Sequence, residues 1–349
     1  MRIFIALVSV ILLFACRLEQ GTFTGHQLQS DGQTLTIQYR GEGDVVQFKM
    51  FEGLELILSK TVPGQFEGHL EIPQLDDAIF SYSITIHQQD SNGKMVEIPY
   101  QPDNGDYHFR WIGKNRTVPF EKAAALQGTL LDSSITSKFL EEKRGLTIYY
   151  PEKISPETPI IYLTDGSEVN AYAPFVDHLI TTGTIKPVIL VGVHASRENR
   201  YFEYVNNGIK EDIFERHRDF FFQEVIPEIE NGLGNWHGSR YIYGFSNGAA
   251  FGMYAGLNHP DLFEEVIAFS TVDYIPERLR TISFDYEHYP AFYMRAGRYE
   301  EDVFRENTQF VKKMIDHHIE VDFGEFISGH DYYVWQVGFL EYLTAEFGK

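Results

Sequence analysis

Two rhythms of apolar residues divide the chain. From residue 33 to about residue 112, apolar and polar positions alternate in short runs at 34–39, 45–50, 54–58, 65–70 and 80–86. Successive side chains on a strand face opposite ways, so each run predicts a strand with one buried and one wet face. Turn-forming clusters separate the runs at 41–44, Pro63-Gly64, Asp76-Asp77 and 91–93. Many short strands at this spacing predict an immunoglobulin-like, all-β sandwich over 33–112. Residues 16–32 are polar and read as a tether, and 113–124 as a linker.

Beyond residue 125 the rhythm lengthens. Strand-like runs at 146–150, 159–164, 187–193, 240–245, 266–269, 291–294 and 321–327 alternate with helical patterns. Those patterns lie at 170–182, 212–233, 303–318 and 332–347, with a further one after Ser246 carrying Ala249, Ala250, Met253, Tyr254 and Leu257. The run at 187–193 is almost wholly apolar, as in a strand covered on both faces. Strands alternating with helices predict an α/β fold, a doubly wound and mostly parallel sheet over 125–349.

Length and charge narrow the picture. The chain has 349 residues, enough for two domains, and 43% of them are hydrophobic. Asp and Glu number 50 against 29 Lys and Arg, a formal net charge of -21. Such a surface repels phosphate, which argues against nucleic acid as a partner. The single cysteine, Cys16, rules out an intramolecular disulfide and a Cys-based metal cluster. It follows Leu13-Phe14-Ala15, and Arg2 precedes an apolar run at 3–15 that is too short to cross a bilayer. A charged start, a short apolar core and that box predict a lipoprotein-type signal over 1–15, with lipidation of Cys16. The expectation is an exported protein of a bacterial cell envelope, touching the membrane through that anchor alone. No histidine has metal-ligand spacing, His317-His318 included, because adjacent helical residues face different ways.

The chemistry gathers at the ends of the second set of strands. Gly244-Phe245-Ser246-Asn247-Gly248 lies between a strand and a helix, the context of a nucleophile elbow. The Asn247 N–H, at a helix start, would face a developing oxyanion. Asp165-Gly166-Ser167, the acidic stretch 297–302 and the stretch 328–331 with His330 also follow strands. Ligands collect at the C-terminal ends of such strands. The chain order is therefore serine, acid, histidine, with Glu300, Glu301 and Asp302 as rival acids and a Ser–His dyad as a further option.

These motifs resemble the enterochelin esterase and esterase D branch of the α/β-hydrolases. The likeness runs over roughly residues 125–345 and rests on 161–166, 244–248, 296–300 and 328–331 with Trp335 beyond. Ala249 and Ser328 stand where the family often has glycine. The resemblance implies ester hydrolysis through an acyl-enzyme on Ser246, with His330 as base, Glu300 as orienting acid and no cofactor. Ser167 then reads as the second oxyanion donor. Asp165, Arg200 and Glu203 are candidates for shaping the substrate cleft. The expected partner is a small-molecule or polysaccharide-linked ester: a siderophore, a feruloyl or acetyl group, or a short-chain ester. An acyltransferase or a non-catalytic binding lipoprotein would use the same scaffold.

Overall fold

The computed structural model describes residues 23–50, 54–102, 108–206, 208–272 and 284–349. The signal segment 1–15 and Cys16 lie outside the described residues.

The first domain is built of β1 (Gly25–Asp31), β2 (Thr34–Arg40), β3 (Val45–Met50), β4 (Glu55–Val62), β5 (Gln65–Glu71), β6 (Ile79–Gln89), β7 (Met95–Tyr100) and β8 (Phe109–Ile112). The strands pair in the order β1-β2-β5-β4-β3-β6-β7, with β8 also on β6. Each pairing is antiparallel. The expected sandwich of two sheets is instead one continuous sheet rolled into a half-barrel. Strand β4 makes the join: residues 55–58 pair with β3, and 59–62 pair with β5 across a bulge between Lys60 and Val62. Alternating burial is the same in a sandwich and in a half-barrel, so the pattern could not separate them. Leu35, Ile37, Phe48, Phe66, Phe80 and Ile84 fill the concave side.

The expected tether is also corrected, because β1 occupies its second half and pairs along its whole length with β2. Its sequence is polar, with Leu28 its one large aliphatic. An edge strand has a single neighbour and little to bury, so hydropathy alone does not reveal it.

The second domain holds β9 (Thr129–Thr136), β10 (Lys143–Tyr150), β11 (Ile160–Leu163), β12 (Ile189–Val193), β13 (Arg240–Phe245), β14 (Glu265–Phe269), β15 (Ala291–Gly297) and β16 (Val321–Phe326). Their order is β16-β15-β14-β13-β11-β12-β10-β9. Strands β11 to β16 run parallel, and β9 and β10 form an antiparallel edge. The helices are α1 (Glu168–Thr181), α2 (Arg200–Tyr204), α3 (Glu211–Phe220), α4 (Ile226–Gly232), α5 (Asn247–Asn258), α6 (Glu301–Asp316) and α7 (Tyr332–Phe347). A wider π turn, Phe221–Val225, joins α3 to α4, so the helix expected over 212–233 is continuous but not uniform. Two apolar clusters cover the two faces of the sheet. Tyr162, Phe214, Phe221, Phe251 and Val266 belong to one. Tyr172, Tyr243, Phe245, Trp335 and Phe339 belong to the other. Burying each such side chain contributes about 1.5–3 kcal/mol.

Strand β11 sits between β12 and β13. The chain therefore leaves it toward one side and returns on the other. This topological switch opens a crevice beyond the ends of β11 and β13, where residues 165–167 and Ser246 emerge.

Candidate active site

Ser246 connects β13 directly to α5 with φ 55 and ψ -127. A non-glycine residue held there stores roughly 1–3 kcal/mol of backbone strain. Neighbouring strands hold it in place: its N–H donates to the Phe269 carbonyl at 2.9 Å. The flanking glycines are required by close approach. A Cβ on Gly244 would lie 2.5 Å from the Gly248 carbonyl carbon, and one on Gly248 would lie 2.9 Å from Asp165 Oδ2. Strand and helix thus press together, and the serine is carried out over the crevice.

His330 follows β16 and reaches back to that serine. Its Nε2 lies 2.9 Å from Ser246 Oγ. Its Nδ1 hydrogen-bonds Glu300 Oε2. Glu300 ends the turn after β15 and immediately precedes α6. Its other oxygen, Oε1, accepts from Ser270 Oγ at 2.6 Å and from the Gly297 N–H at 3.0 Å. Ser270 Oγ in turn accepts from Trp335 Nε1 at 3.1 Å. The Trp335 ring stands edge-on to the His330 ring, 4.6 Å between centroids at 88°. Acid and imidazole are therefore fixed from several sides by uncharged donors and a buried ring.

The three rival acids separate cleanly. Glu300 meets His330, whereas Glu301 and Asp302 are exposed in the first turn of α6. Asp302 pairs with Arg305 at 2.6 Å. Asn247 and Ser167 stand at the starts of α5 and α1, where the helix dipole favours negative charge. The Gly166 N–H is bound to the Val193 carbonyl at 3.0 Å, so the exposed Ser167 is the next donor along that turn.

The remaining candidates are only partly brought together. Arg200 grips Asp165 with both ends of its guanidinium, Nε to Oδ1 at 2.6 Å and Nη2 to Oδ2 at 2.7 Å. Its Nη1 donates to Asn247 Oδ1 at 3.2 Å. The pair thus braces the β11 loop against the elbow, and each charge is answered by the other. Glu203 does not line the cleft. It is 2% exposed, accepts from Arg144 at 2.9 and 2.7 Å, and also accepts from the Ser196 N–H at 2.8 Å. Arg144 lies 59 residues earlier, on β10, a pairing that no local spacing announces.

Sequence reasoning misses Ser270, and places Trp335 in the family motif without the contacts it makes to Ser270 and His330. Ser270 immediately follows β14 at positive φ, 46°. Its place at a strand end is the signal that could find it. Burial lifts the Glu168 carboxyl to about 7, with Asp165 adding to the rise and Arg200 opposing it.

The profile of the Esterase family, described as "Putative esterase", matches residues 137–345, more than half of the chain. The chain belongs to the Esterase family. It is an esterase enzyme. The uncharacterized protein YjcH of Bacillus subtilis (strain 168) is 25% identical over 233 residues, 61% of this chain and 95% of that protein. The ferric enterobactin esterase of Salmonella typhimurium superposes with a TM-score of 0.72 at 15% identity, covering 93% of this chain and 96% of its own. A ferulic acid esterase gives 0.51 at 20% identity over 63% of this chain and 98% of its own. At these identities the structural matches speak to the fold. The first spans both domains of the Esterase-family chain.

Proposed function

We propose that the protein is a serine carboxylic-ester hydrolase of the α/β-hydrolase type, working through an acyl-enzyme. The observation that carries this is the unbroken hydrogen-bond chain Ser246–His330–Glu300 at the C-terminal edge of the parallel sheet. Ser246 Oγ attacks the ester carbonyl while His330 Nε2 accepts its proton. The N–H groups of Asn247 and Ser167 receive the oxyanion. As the tetrahedral intermediate collapses, His330 returns the proton to the leaving alcohol, and water repeats the sequence on the acyl-enzyme. Glu300 keeps the proton on Nδ1 and stabilises the imidazolium.

Among ester classes, a siderophore-type ester has the strongest support. The enterobactin esterase fold matches 93% of the chain, β domain included, against 63% for the ferulic acid esterase. Feruloyl or acetyl polysaccharide esters and short-chain esters form the other arms of a substrate panel. The Leu13-Phe14-Ala15-Cys16 box supports export and lipid anchoring. Metabolic labelling with palmitate, lost in Cys16→Ser, tests that part.

Intact-mass labelling with a fluorophosphonate tests the chemistry. The expected result is a single adduct, absent from Ser246→Ala, which also loses ester hydrolysis. Hydrolysis that survives in Ser246→Ala overturns the mechanism.

A further inference from the structure

Hydrogen bonds between the two domains converge on the loops that carry Glu300 and His330. Tyr299 Oη, beside Glu300, donates to the Pro73 carbonyl at 2.7 Å. The Ile79 N–H donates to the Ile327 carbonyl at 3.0 Å. Asp331, the residue after His330, takes up Ser81 of β6: one oxygen accepts from the Ser81 N–H, and the other accepts from Ser81 Oγ at 3.0 Å. That second oxygen also accepts from the Tyr333 N–H at 2.8 Å, capping α7. Asp331 is 2% exposed, and the side chains of Tyr299 and Ile327 pack against the core of the half-barrel.

The placement has a mechanical consequence. Strand β16 is the outermost strand of its sheet, with β15 as its single neighbour. The loop leaving an edge strand has no further strand to hold it. An imidazole on such a loop needs bracing from outside the sheet, because a misplacement of about 1 Å costs on the order of a hundredfold in rate.

We propose that Asp331 is a positioning residue for His330 and that the β domain, through Ser81, is the brace that holds the catalytic loop. The carboxylate suits the task because three donors converge on its two oxygens. An amide has one acceptor oxygen, and its NH2 would face a donor. The proposal rests on the serine-esterase reading above.

The test measures kcat and KM on an activated aryl ester, with kcat expressed per fluorophosphonate-titrated site. This normalisation removes any loss that is merely unfolded protein. Asp331→Asn is expected to lower kcat per site by about 10–100-fold with KM within about twofold, since positioning acts on the transition state. Ser81→Ala, which keeps the backbone N–H bond, is expected to lose about three- to fivefold. In a Glu300→Gln background the Asp331→Asn penalty shrinks to a few-fold, because residues acting as one unit are not additive. Per-site kcat of Asp331→Asn within twofold of the parent overturns the proposal, as does a full penalty in the Glu300→Gln background. If Asp331→Asn does not fold, Ser81→Ala decides, and parental kcat per site refutes the brace. Activity surviving in Ser246→Ala overturns the esterase mechanism instead, so the two failures are distinct.

Discussion

Two of the histidine–glutamate pairs in the α/β domain have surroundings that give them opposite characters. At the crevice, His330 and Glu300 keep 15% and 6% of their side-chain surface. Between α2 and α3, His217 and Glu203 keep 0% and 3%, with Nδ1 and Oε2 3.6 Å apart. Glu300 has uncharged donors on its free oxygen, Ser270 and the Gly297 N–H. Its negative charge therefore remains available to an imidazolium on His330. The charge of Glu203 is already answered by Arg144, which binds both its oxygens. Burial drives His217 down to about 4, against the pull of Glu203 and with Arg144 assisting. Its ring sits edge-on to Tyr204 and Phe251 and stays neutral in neutral solution. A carboxylate beside a histidine is thus not sufficient for general-base chemistry. The carboxylate must be free of a cation, and the imidazole must face a nucleophile where substrate can arrive.

The contrast can be broken by substitution. His330→Ala removes the proposed base and should reduce kcat by about 10⁴–10⁶-fold, measured by steady-state hydrolysis. Glu300→Gln keeps the shape but presents the wrong hydrogen-bond partner to Nδ1, and should cost about 10²–10⁴-fold in kcat with little change in thermal stability. The same isosteric change at the other pair should do the reverse. Glu203→Gln leaves the buried Arg144 with only the exposed Glu142 as counter-charge and should cost about 3–5 kcal/mol in denaturant unfolding, with kcat per active site unchanged.

His217 gives the smallest effect and the one that depends on pH. Its folded pKa lies below the unfolded value of 6.5. The unfolded chain therefore binds the extra proton first as pH falls. Stability is fully present above pH 6.5 and lost toward pH 4, by about 3 kcal/mol in all. In His217→Phe this part of the pH slope should vanish, as read by urea unfolding across that window. An unchanged slope would mean that the ring is not held neutral by burial.

Much of the site is legible in the amino-acid sequence. The elbow can be read because its requirements are local: two glycines without Cβ atoms, a strand before and a helix after. The positions of Glu300 and His330 follow from strand ends, since β15 is largely apolar and β16 mixes apolar with polar positions as an edge strand does. Which of three consecutive acids turns inward is not local. It depends on how the turn from Gly297 meets Ser270 on another strand. Glu203 escapes a correct reading for the same reason: its partner stands on β10, across the sheet. Strand β1 is hidden because an edge strand needs few apolar residues, and β4 hides the half-barrel because a change of pairing partner leaves the alternation intact.

By itself the sequence determined the two-domain plan, the parallel sheet, the strained serine and the order of the reactive groups. These follow from periodicity and backbone sterics, which act over a few residues. Tertiary structure alone decided which carboxylate serves His330, which arginine neutralises Glu203, and that Ser81 meets Asp331 across 250 residues of chain. Those pairings depend on which sheet edges and loops pack together. That outcome belongs to the burial of whole apolar faces, and short-range spacing carries no record of it.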